Sequence, residues 1–225
     1  MNFEIQKILN WNKVHACMML IACLISMYAS DTFILSVVSL TSFGIYVYMF
    51  RSELSKYSLF AGYPNLITLL RIVLLVFICI FWRQLGTLVV FSMFLSNILL
   101  DWLDGFVARK LGLTSDFGLY LDMETDAFLV SVISLIIWMS NDFHWVILFS
   151  GFLRYPYAVL LLFINKGNKK EPKRFYASFV TGFFYVSLLM AFLSRSTFAE
   201  YTLYISSILI IISFSRSLYF QVSSI

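Results

Sequence analysis

The sequence predicts an all-α integral membrane protein, and three observations carry that reading. Hydrophobic residues fill 61% of the 225 positions and charged ones only 12%, with a mean hydropathy of +0.88; a soluble globular domain carries about a quarter charged residues. Apolar runs close to the ~20 residues that a helix needs to cross the hydrocarbon core recur along the chain. These runs, Leu203 to Phe214 among them, lack the polar/apolar alternation that the strands of a membrane barrel require.

Eight runs read as spans, near 14–29, 32–50, 64–83, 86–108, 119–140, 143–164, 175–193 and 199–220. The first resembles a signal peptide in length, but Met27 and Ala29 make a poor cleavage site and a second apolar run follows at once. It is expected to stay as an anchor. The second run ends at the polar interruption Arg51 to Lys56, and the third contains Pro64-Asn-Leu-Ile-Thr-Leu-Leu-Arg71. The fourth carries Asp101 and Asp104 near its end, and the fifth carries Asp122 and Asp126. Arg154 falls near the middle of the sixth, two residues before Pro156, which should kink that helix. The seventh follows the polar stretch Asn165 to Arg174, and the eighth is apolar almost throughout. No Pro/Gly linker and no internal repeat divides the chain, so one membrane domain is expected.

Other classes of function find little support. Cys17, Cys23 and Cys79 lie inside apolar runs without metal-ligand spacing or a disulfide pattern, and read as buried structural residues. His15 and His144 are far apart, leaving zinc or haem few ligands. No nucleic-acid-binding module fits, and the net charge of +4 is explained by topology. With a cytoplasmic N-terminus, the inner segments hold Lys7, Lys13, Arg51, Lys56, Lys110, Lys166, Lys169, Lys170, Lys173, Arg174 and Arg216. The outer loops hold Arg83 and Arg195, together with Asp31, Asp142 and Glu200. That is the positive-inside asymmetry, and it opens the acidic cluster to the cytoplasm.

Charge inside a bilayer is costly, so four aspartates and Arg109 among apolar runs mark a site. Residues three or four apart share a helix face. Asp101, Asp104 and Ala108 therefore form one stripe, with Gly105 beside them, while Gly118, Asp122 and Asp126 form another. Four anions so close in a low-dielectric setting repel one another, and a divalent cation relieves the repulsion. All-oxygen ligation favours a hard ion such as Mg²⁺, with Mn²⁺ or Ca²⁺ as alternatives. Gly105, Ala108 and Gly118 leave room for a flat base or a pyrophosphate, although small residues also serve helix packing. Arg109 can hold phosphate through a bidentate fork.

The spacing Asp101, Asp104-Gly105, Ala108-Arg109, Gly118, Asp122, Asp126 matches without a gap the signature of the CDP-alcohol phosphotransferases. At about 5 to 7% usage per residue type, eight fixed positions coincide by chance on the order of once in 10¹⁰ starts, so the chain resembles that family. The resemblance implies a six-helix core in residues 56–225, preceded by an extension of two transmembrane helices in residues 1–55. It further implies that Asp101, Asp104 and Asp122 bind divalent metal, and that Asp126 is the general base and also touches metal. By the same resemblance the CDP group meets Asn65, Thr68, Asp104, Gly105, Ala108, Arg109 and Gly118, and Arg71 belongs to the helix that closes the nucleotide pocket. The implied reaction moves a substituted phosphate from a CDP-alcohol, with CDP-diacylglycerol the expected donor, to an alcohol, releasing CMP. A homodimer in the cell (inner) membrane, active towards the cytoplasm, is the implied setting.

The acceptor is less sharply specified. Arg154 either pairs with an aspartate or binds an anionic acceptor such as a glycerol or inositol phosphate, and the second is preferred here. Lys173 and Arg174 start the seventh span and are candidates for the same phosphate, although a basic loop also anchors to acidic lipid heads. The segment Lys169-Lys-Glu-Pro-Lys-Arg-Phe-Tyr-Ala-Ser178 departs from the Gly-Lys-x-Lys-Thr element of phosphatidylglycerophosphate synthases, and the Gly-Leu-Pro element of phosphatidylserine synthases is missing. A transporter of ions or metals is the alternative class, because it too needs acids inside helices. It has no use for Gly105, Ala108 and Arg109 in this register.

Overall fold

The computed structural model describes residues 3–51, 63–111, 115–141, 145–163, 175–194 and 196–223. Among them the chain forms helices and no strands: α1 (Phe3–Ala29), α2 (Phe33–Met49), α3 (Tyr63–Phe81), α4 (Thr87–Leu111), α5 (Asp116–Asn141), α6 (Val146–Phe152), α7 (Arg154–Phe163), α8 (Phe175–Leu193) and α9 (Thr197–Ser223). Helices α1, α4, α5, α8 and α9 are long and apolar enough to cross a membrane, and α2 and α3 are apolar but shorter. The protein is an all-α integral membrane protein.

Two of the eight expected spans differ in form. The first begins at Phe3 instead of near residue 14, because Ile8, Trp11 and His15 recur at helical spacing and are all buried. Burial of one face against the bundle, not overall hydropathy, extends that helix. The sixth is two helices, with Leu153 between α6 and α7. Pro156 has no N–H to donate, and its ring clashes with the carbonyl four residues earlier. That carbonyl belongs to Phe152, where α6 ends.

Helix α5 sits at the centre. Of its membrane-spanning stretch 67% is buried, against 22% for α4 and α9, and Leu121, Phe128, Leu129, Val132, Ile133, Leu135, Ile136 and Ile137 are all enclosed. It packs against α1, α3, α6 and α8. Large apolar side chains such as Leu88, Phe179 and Tyr201 point outward, as a lipid-facing surface requires.

The first two helices are joined to this centre by specific contacts. Tyr46 of α2 stacks on Phe117 with ring centroids 4.8 Å apart, and its hydroxyl donates to the Phe117 carbonyl at 3.0 Å. Thr32 donates to the Cys79 carbonyl at 2.5 Å and accepts from Trp82 Nε1 at 3.0 Å. Cys23 and Cys79 are buried free thiols, and Cys17 is partly buried.

Candidate active site

Three of the four motif aspartates come together. Oxygens of Asp101 on α4 and of Asp122 and Asp126 on α5 all lie within 4.8 Å of one another. At their centre is Arg71 of α3, whose side chain is fully buried. Its Nη1 donates to Asp101 Oδ1 at 2.8 Å and to Asp122 Oδ1 at 2.7 Å, and its Nη2 donates to Asp126 Oδ1 at 2.6 Å. The three carboxylates are 34, 39 and 35% exposed, so they open outward while the arginine stays inside.

Asn97 fixes the arginine from α4. It accepts from Arg71 Nε at 3.3 Å and donates to the Arg71 carbonyl at 3.0 Å. Asn97 lies one turn before Asp101, so the same helix face holds the guanidinium at two levels. Three carboxylates on one guanidinium leave a surplus of negative charge. The donor set is all hard oxygen and the acids come from two helices, which fits a divalent cation such as Mg²⁺.

Asp104 stands apart from this trio. It is buried and accepts a hydrogen bond from the Thr68 hydroxyl of α3. Two candidate nucleotide residues, Thr68 and Asp104, are thus coupled directly. Asn65, one turn earlier on α3, approaches Gly118 at the start of α5. A Cβ at Gly118 would lie 2.7 Å from Asn65 Oδ1 and 3.3 Å from Ser115 Oγ. Only a residue without a side chain permits that approach. Gly105 and Ala108 lie on α4 within one turn of Asp104. Arg109 belongs to the same helix, and its side chain is outside the described residues, as are Lys173 and Arg174.

Beyond Asp122 and Asp126 opens a cavity of about 380 Å³ between α5, α6, α7, α8 and α9. Its wall is mostly apolar, with Ala127, Val130, Phe184, Ile210 and Phe214, and also carries Arg154. Gly151 lines it where α6 meets α5: its carbonyl accepts from Ser131 at 3.2 Å, and a Cβ there would overlap Ser134.

Arg154 does pair with an acid, but with one outside the motif. Its Nε and Nη2 donate to Glu124 Oε1 at 3.2 and 2.5 Å. Glu124 is completely buried. Two residues from both Asp122 and Asp126, it projects about 200° away from their stripe, towards α1. There Asn12 Nδ2 donates to the same Oε1 at 2.7 Å, and His15 Nε2 stands 3.8 Å from Oε2. Glu124 breaks the stripe, so helical spacing alone does not point to it. Its signal was a carboxylate inside an apolar span, two positions out of register.

Residues 61–214 match the family model described as CDP-alcohol phosphatidyltransferase. A curated relative from Pseudomonas fluorescens, named CDP-diacylglycerol--glycerol-3-phosphate 3-phosphatidyltransferase, is 34% identical over 91 residues, 38% of this chain and 45% of the relative. One of the same name from Wigglesworthia glossinidia brevipalpis is 39% identical over 77 residues, 33% of this chain and 42% of the relative. A third, from Salmonella choleraesuis, is 29% identical over 91 residues, 38% and 48% of the two chains. The chain spans just under half the length of these relatives. No solved structure matches it.

Proposed function

The chain belongs to the CDP-alcohol phosphatidyltransferase family, and we propose that it moves a phosphatidyl group from CDP-diacylglycerol to a phosphate-bearing alcohol, releasing CMP. The observation that carries the proposal is the acid trio, of which Asp122 and Asp126 line a cavity whose wall also holds Arg154. Carboxylates suit the donor pyrophosphate through bound metal, and a guanidinium suits a phosphate on the acceptor. Relatives named for glycerol 3-phosphate make that alcohol the first acceptor to try. The departing segment 169–178 and the candidates Lys173 and Arg174 belong to this acceptor half.

Asp101, Asp122 and Asp126, with Asp104 one turn away, would hold Mg²⁺, or Mn²⁺ in its place. When bound, the ion supplies neutralisation of the pyrophosphate charge. Asp126 takes the proton of the acceptor hydroxyl as its oxygen attacks the phosphorus that carries the diacylglycerol. Bond formation to the acceptor and cleavage of the bond to CMP complete the transfer without a covalent enzyme intermediate. Arg71 keeps the three carboxylates in place throughout. Thr68 orients Asp104, and Asn65 with Gly118 shapes the floor against which the CDP group lies. Gly105, Ala108 and Arg109 form the α4 side of that pocket. The apolar cavity wall suits the acyl chains or glycerol backbone of the donor. The site faces the cytoplasm of the inner membrane, where charged nucleotides and phosphates are available, and the enzyme is a homodimer.

The test is direct. Purified protein in detergent or vesicles, with Mg²⁺ and CDP-diacylglycerol, is given glycerol 3-phosphate, inositol phosphate, serine or phosphatidylglycerol. CMP release is expected with glycerol 3-phosphate above the others. No release with any acceptor, alongside divalent-metal flux in sealed vesicles, would support the transporter instead.

A further inference from the structure

Helix α1 packs against both α5 and α7, the helices that carry Glu124 and Arg154. We propose that Asn12 and His15 of α1 are positioning residues that set the Arg154 guanidinium through Glu124, an inference that rests on the reading of Arg154 as the acceptor's phosphate ligand. Four observations lead there.

Glu124 is fully buried on the central helix and points at α1, not at the acid trio. Its Oε1 receives three hydrogen bonds, from Asn12 Nδ2, Arg154 Nε and Arg154 Nη2. Among the described residues, the hydrogen bonds of Arg154 all go to that one oxygen. Nη1 is not used in those bonds, and Arg154 lines the cavity it shares with Asp126. Lastly, the α1 side is braced by its own contacts. Trp11 stacks on His15 at 4.6 Å, Trp11 Nε1 donates to the Ser42 carbonyl at 3.1 Å, and His15 Nδ1 bonds the Ser42 hydroxyl at 2.7 Å. His15 Nε2 and Glu124 Oε2 are buried, face one another, and have no other partner among the described residues.

Arginine has a long, flexible stem, and a phosphate ligand must be held within a fraction of an ångström to act on a reacting neighbour. Here α7 supplies the arginine, α5 the carboxylate that steers it, and α1 the amide and imidazole that steer the carboxylate. The arrangement also explains why the carboxylate is off the catalytic stripe. Its job is to hold Arg154 from behind.

The experiment compares wild type with Asn12→Leu, Asn12→Gln, His15→Leu and Arg154→Lys, and with the Asn12→Leu/Arg154→Lys pair, in the full chain with CDP-diacylglycerol and glycerol 3-phosphate. Asn12→Leu and His15→Leu are expected to raise the KM for glycerol 3-phosphate about ten-fold while the KM for CDP-diacylglycerol and kcat stay within about two-fold. Asn12→Gln, which keeps an amide donor, recovers part of the loss. In the pair, Asn12→Leu adds little once Arg154 is already changed, because the two act through one contact. An unchanged acceptor KM in a wild type that transfers, equal losses in both KM values, or full additivity in the pair overturns the positioning role. A wild type that transfers to none of the phosphate-bearing alcohols overturns the functional reading and the positioning role together.

Discussion

Arg71 Nη2 lies 2.6 Å from Asp126 Oδ1, so the carboxylate proposed to take the acceptor's proton is held by a cation from a different helix. The contact fixes the base without enclosing it. Asp126 is 35% exposed on its side chain, and Arg71 is not exposed at all.

Asp126→Asn keeps an oxygen that can accept from Arg71 but removes the basic group. The kcat for CMP release is expected to fall by about 10²- to 10⁴-fold, the range general-base catalysis contributes, with the KM for CDP-diacylglycerol little changed. A variant that kept a tenth of wild-type turnover would remove Asp126 from that role.

Arg71→Met leaves three acids without their shared cation in the middle of the bundle. Removing one partner of a buried ion pair costs about 3 to 5 kcal/mol, and the partial exposure of the acids puts the expected loss at the lower end. Thermal unfolding in detergent should show a clearly lower midpoint. Arg71→Lys retains charge without the planar fork, and its midpoint should fall between the two; equal midpoints for all three proteins would contradict the assignment.

Gly118→Ala places a Cβ 2.7 Å from Asn65 Oδ1 and must push that side chain aside. The KM for CDP-diacylglycerol should rise several-fold with kcat nearly preserved. Asn65→Ala introduced first should absorb most of that effect, since two changes at one contact are not additive. Independent effects of the two substitutions would place the nucleotide elsewhere.

Chelation with EDTA should abolish transfer, and Mg²⁺ should restore it. Asp101→Asn and Asp122→Asn should each raise the Mg²⁺ concentration for half-maximal activity, because each removes a charged hard-oxygen ligand. Activity that survives exhaustive chelation would separate the acid trio from metal binding.

The acid stripes were legible because a helix repeats a face every three to four residues: Asp122 and Asp126 share one face of α5, and packing brings Asp101 of α4 to them. The break in the sixth span was legible from Pro156. Less visible was the central place of Arg71: spacing within one helix says nothing about which neighbouring helix supplies a counter-charge. Glu124 was hidden for a related reason. Its partners Asn12 and Arg154 come from opposite sides of it in sequence, 112 and 30 residues away, and only packing brings them to one oxygen. Residues 3–13 escaped the first span because hydropathy averages over all faces of a helix, whereas the buried stripe Ile8, Trp11 and His15 uses one.

The Asn12 to Glu124 hydrogen bond also bears on how the chain is assembled. Synthesis delivers the N-terminal end first, so α1 is in the bilayer before α5 arrives. Glu124 then enters 30 residues ahead of Arg154, at a stage when a lone carboxylate in hydrocarbon would be strongly disfavoured. Asn12 is already there to receive it. In that order of arrival the first helix offers the buried carboxylate a hydrogen-bond partner before its counter-ion packs beside it.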